Sequence, residues 1–189
     1  MSYTNQTPII ANAARLLKDA KLLVDHERYA SAFALAVLAL EEIGKVLLEL
    51  WGNPEAPPNR KQRLSAHIKK QAAVSSLLLA ESVTNELGEE IASCPTDNAL
   101  VERVARFMHG SESGRFHWLV RIGAVDKTKQ LGLYRDDWFE TAGLGAAQFS
   151  DANAQTLFER CRLAVAGIGD QRVMRVGKAL YEVGLSQNP

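Results

Sequence analysis

The chain has 189 residues, 47% hydrophobic and 23% charged, with 22 basic and 22 acidic residues that cancel to a formal net charge of zero. That length suits one domain with a substantial core, and the balanced charge supplies no global basic field, so DNA is not expected as a partner and RNA contact would need a local patch. Cys94 and Cys161 are too few and too far apart for a disulfide framework or a zinc site, which fits a reducing cytoplasmic setting.

The first segment, Met1 to Pro8, lacks the basic-then-apolar order of a signal peptide. Thr7-Pro8 starts a helix, with a hydroxyl cap followed by proline where its missing N–H does no harm. Apolar residues at three- and four-residue spacing carry this helix to about Val24. A second helix is expected from about Glu27 to Trp51, antiparallel to the first across a very short connection. Ala32 to Leu40 is an unbroken apolar run, which favours a central buried helix. The run stops short of the length that spans a bilayer, so no membrane association is expected.

Gly52 to Pro58 reads as a stiff linker, and Asn59 with Gln62 forms a capping-box-like start for a third helix reaching about Glu90. Ser93 to Asp97 breaks and recaps the chain before a fourth helix to about Met108. Gly110 to Gly114 reads as a loop, and a fifth helix is expected from about Phe116 to Leu131. A Gly- and Ala-containing loop follows to Gln148. Ser150 or Asp151 then caps a last helix, with an interruption expected near Gly167 and Gly169. No strand pattern or internal repeat is visible. The expectation is an all-α antiparallel bundle of about five to six helices in a single domain, residues 1–189.

Three groups of residues carry potential chemistry. At the end of the second helix Glu41, Glu42 and Lys45 follow the apolar run, and charge on such a helix must be paired, line a cavity or lie on a solvated strip. Gly44 between them permits a close backbone approach. On the third helix Arg60, Arg63, His67 and Lys70 form a basic ridge about three turns long, suited to a phosphate backbone, to Glu41 and Glu42 across the helix interface, or to plain solvent. His109, Glu112 and His117 gather near the glycine-bounded loop, but their spacing matches no standard metal-ligand pattern, so no metal is expected. No cofactor fingerprint occurs, and none is expected.

Arg28-Tyr29, the Ala-rich helix and Leu40-Glu41-Glu42-Ile43-Gly44-Lys45 together resemble the HEPN superfamily, and more closely its AbiV-type abortive-infection branch. His67-Ile-Lys69-Lys70 resembles that family's His-x-x-Lys on the following helix. Lys129 to Asp136 resembles its later Lys…Gly-Leu-Tyr-x-Asp segment. The resemblance covers roughly Ala11 to Asp136, with 1–136 as the core and 137–189 as a loop and helix extension. It implies a compact helical bundle, a homodimer, and a role in antiviral defence in prokaryotes.

Many HEPN proteins are metal-independent ribonucleases with an arginine and a histidine separated by four to six residues, and here Arg60 and His67, with six between them, and Arg103 and His109, with five, fit that spacing. On this reading His67, Arg60 and Lys70 form the catalytic set. Glu41, Glu42, Lys45, Tyr134 and Asp136 form a supporting polar cluster, in which the two glutamates pair with Lys45 and Lys70 and orient His67. The other reading is a non-catalytic interaction module that binds a phage or host protein and uses the polar cluster to fix helix register.

Overall fold

The structure is a computed structural model, and it describes residues 7–53, 65–92, 94, 96–108, 110–133 and 150–186. Among these lie eight helices and no strand: α1 (Thr7–Asp25), α2 (Tyr29–Leu50), α3 (Ala66–Ala92), α4 (Asp97–Met108), α5 (Glu112–Arg121), α6 (Ala124–Leu133), α7 (Asp151–Gly167) and α8 (Gln171–Ser186). The all-α expectation holds, whereas the count of five to six is too low. Gly123, at φ 75°, divides the expected fifth helix into α5 and α6. The last helix is divided in the same way at Ile168 to Asp170, where Asp170 caps α8 by accepting from the Arg172 and Val173 N–H groups at 2.8 and 3.3 Å.

Three boundaries also move. Glu27 has φ 59°, so α2 cannot begin there and starts at Tyr29. The Asn59 cap lies outside the described residues, and within them Ser65 caps α3 by accepting from the Ile68 N–H at 3.2 Å. Ser111 caps α5 by accepting from the Gly114 N–H at 3.0 Å, so the expected Gly110–Gly114 loop is largely a helix start.

α2 and α3 form the centre. α1, α3, α6 and α7 pack around α2, and α5, α7 and α8 pack around α3. The alanines explain how one helix meets four neighbours: Ala32, Ala34, Ala36 and Ala39 are fully buried and bring the surrounding backbones close, while Val37, Leu40, Ile43 and Leu47 fill the remaining space. The helices after the 137–149 stretch share this core through Leu157, Cys161, Ala164 and Tyr181. No helix among the described residues is long and apolar enough to cross a membrane.

Two glycines set distances that matter for the site. A Cβ on Gly44 would lie 2.9 Å from the Lys70 Cα and would run into the Lys70 carbonyl, so only glycine lets α2 meet α3 there. A Cβ on Gly132 would lie 2.5 Å from the Ala30 carbonyl oxygen, which ties α6 to α2 by the same device.

Candidate functional site

Glu41 is the hub. It sits on α2 between the two glycine contacts, is 3% exposed, and is within reach of both α3 and α6. Lys129 Nζ on α6 donates to its Oε1 at 2.7 Å. Gln71 Nε2 on α3 donates to the same oxygen at 2.9 Å. His67 Nδ1 donates to Oε2 at 2.7 Å. Lys129 also reaches Asp126 Oδ1, one turn earlier on α6, at 2.7 Å, and Gln71 Nε2 lies 3.3 Å from that atom. Three helices thus meet on one carboxylate.

The electrostatics follow from that geometry. Burial alone would push the Glu41 carboxyl up, but the hydrogen bonds from Lys129, His67 and Gln71, with the Lys129 charge, outweigh it and hold the pKa below its ordinary value. Burial likewise works against the Lys129 ammonium, yet its bonds to Asp126 and Glu41 and their charges raise its pKa. Glu41 is therefore a carboxylate and Lys129 an ammonium at neutral pH. The buried Gln71 Oε1 has no hydrogen-bond partner among the described residues.

His67 differs from its neighbours in lying at the surface, with its side chain 51% exposed. A carboxylate can only accept, so Nδ1 carries the proton shared with Glu41 and Nε2 is the nitrogen left to act. That is the orientation a histidine needs to exchange a proton with a ligand, with the carboxylate fixing tautomer and ring angle.

The other residues expected from the sequence distribute unevenly. Glu42 pairs with Lys45 within α2, apart from the Glu41 cluster, because adjacent residues on a helix point about 100° apart. Lys70 is half-buried, one turn beyond His67, and makes no hydrogen bond or ion pair among the described residues. The cation on Glu41 is Lys129, not Lys45 or Lys70. Arg60, Tyr134 and Asp136 lie outside the described residues, as do Arg63 and His109.

Of the His109–Glu112–His117 grouping, the two described members turn to different partners. Glu112 pairs with Arg160 at 2.8 Å, and His117 turns inward to Ser75 Oγ at 2.9 Å. Burial, with the Arg121 charge adding to it, pushes the His117 pKa down to about 4.

Sequence reasoning missed Lys129, Gln71 and Asp126 as members of the site. Lys129 stood inside the Lys129–Asp136 segment that carries the family resemblance, and its i, i+3 spacing from Asp126 was visible; only the contact with Glu41 was not. Glu41, His67 and Asp126 place one ligand atom each within 4.8 Å of one another, a grouping that could hold a metal ion. The Lys129 ammonium bridges its two carboxylates and supplies positive charge at that place.

No curated protein and no solved structure gives a significant match to the chain. The family model HEPN_AbiV, described as AbiV, matches residues 4–141, a span that holds α1 to α6 and every member of the Glu41 cluster, and the chain belongs to that family.

Proposed function

We propose that this protein is an abortive-infection effector of phage defence that cleaves RNA without a metal, with His67 as the proton carrier. The observation that carries the reading is the Glu41–His67 pair. Its carboxylate is buried and anchored by Lys129 and Gln71, while the His67 side chain is half exposed. In this scheme neutral His67 accepts the proton of a ribose 2′-hydroxyl at Nε2. The freed oxygen attacks the adjacent phosphorus as the bond to the 5′-oxygen breaks. The proton returns to that leaving oxygen, giving a cyclic phosphate and a 5′-hydroxyl. Lys70, one turn along α3, and Arg60 before it are the cations proposed to steady the phosphate charge.

The test is cleavage of single-stranded RNA by purified protein with EDTA present, wild type beside His67→Ala. Activity lost in His67→Ala, with thermal stability within roughly 1–2 kcal/mol of wild type, is the expected result. Activity retained in that variant removes His67 from the mechanism.

The second reading rests on a different feature of the same cluster. Lys129 and Gln71 are fully buried and spend their hydrogen bonds inside the bundle, as register-fixing polar groups do. On that reading the folded protein cleaves nothing and instead binds a phage or host protein, either alone or as a homodimer. Trp118 on α5 and Ile122 just past its end, both exposed, offer apolar contact area for such a partner. Folded wild-type protein that leaves RNA intact, together with a doubled mass by light scattering, would favour it.

A further inference from the structure

A cavity of about 620 Å³ opens between α3, α5 and α7, with no member of the Glu41 cluster in its lining. Its size falls among small-molecule sites. Leu78, Phe116 and Leu163 supply an apolar floor. Three carboxylates, Glu81, Glu112 and Glu159, line it against a single guanidinium, that of Arg160.

The cations already there are engaged. Arg160 donates to Glu112 at 2.8 Å and lies 4.0 Å above the Phe116 ring. Arg162, just outside, holds Glu159 through two hydrogen bonds of 2.8 and 2.5 Å. Glu81 is half-buried on the α3 wall and has no hydrogen bond or ion pair among the described residues. Burial raises the pKa of its carboxyl, with Arg162 and Glu159 acting on it in opposite directions. An apolar floor beside a carboxylate that no described residue hydrogen-bonds is complementary to one kind of ligand.

We infer that this cavity binds a small organic cation, an apolar body carrying one protonated amine, with the body against Leu78 and Leu163 and the ammonium donating to Glu81. Leu78, Phe116 and Glu81 belong to the family-matched span, whereas Leu163, Glu159 and Arg160 stand on α7 beyond residue 141. The ligand therefore bridges the family core and the helix that follows it.

The test is NMR titration of the isotope-labelled full chain with phenethylamine, beside its uncharged counterpart phenethyl alcohol. Saturable shifts at the cavity-lining residues, with the amine bound about ten-fold more tightly than the alcohol, are expected, since a charge-assisted hydrogen bond is worth that much. Glu81→Gln should cost the amine about that ten-fold and leave the alcohol unchanged. Gln155→Trp, a substitution at an exposed position on the α7 lip, should abolish both by filling the opening. Equal binding of amine and alcohol, an amine affinity unchanged in Glu81→Gln, or the absence of saturable shifts in wild type would each overturn the inference.

Discussion

Replacing Lys129 by methionine keeps most of its stem and deletes the ammonium that Glu41 and Asp126 share. In the folded protein the Lys129 and Glu41 side chains are 2% and 4% exposed, so water cannot take over the lost partner. Surface pairs such as Arg15–Asp19 contribute about 0–1 kcal/mol, whereas breaking a buried pair typically costs about 3–5 kcal/mol. Gln71 and His67 still donate to Glu41 in the variant, so the lower end, about 3 kcal/mol, is expected. That is a large share of a typical total of about 5–15 kcal/mol, yet it leaves a folded population.

Urea unfolding followed by circular dichroism measures the loss. Adding Glu41→Gln to the same chain removes the stranded charge and should recover about 2 kcal/mol, a coupling that a double-mutant cycle isolates. The pH dependence gives an independent check. The depressed Glu41 pKa means the unfolded chain binds that proton more readily, so the stability it contributes is complete above the ordinary carboxylate range and is lost as pH falls below it. In Lys129→Met the buried carboxyl gains by taking up the proton, and the gap to wild type should narrow near about pH 4. A Lys129→Met variant within about 1 kcal/mol of wild type at neutral pH would refute the reasoning, because Glu41 would then not need its cation.

Gly44→Ala forces α2 and α3 apart at Lys70, and a loss of about 1–3 kcal/mol is expected, with weakened His67–Glu41 contact visible as a changed His67 ring NMR signal; unchanged stability would mean the helices can separate freely. His117 predicts acid sensitivity with a defined window. Its pKa falls from 6.5 to about 4 on folding, so between those values the unfolded chain takes up a proton that the folded chain refuses, and stability declines as pH drops. The total is roughly 3 kcal/mol, and His117→Gln should flatten the slope of denaturation midpoint against pH over that range; an unchanged slope would exclude His117 as its source.

Much of the bundle was legible in the sequence because helix signals are local. The apolar run from Ala32 to Leu40, the Ser150 cap and the Thr96 break each act within a few residues, and Ser150 accepts from the Asn153 N–H as a cap should. The finer divisions were not legible in the same way. Whether Gly123 breaks a helix or rides inside it depends on what packs beside it, and Glu27 adopts a positive φ only because α1 and α2 must turn back on each other.

The site divides along the same line. Glu41, His67 and Gly44 could be named from their motifs and from the cost of placing charge on a buried helix. The Lys129 contact spans 88 residues of chain, and no local rule pairs two such positions. The sequence alone determined the helical class, the central place of α2 and the carboxylate that would need a partner. The tertiary structure decided which cation met that need, because glycines on two interfaces bring α3 and α6 against one side of α2, and a buried charge is stabilised by whichever partner the packing places within about 3 Å.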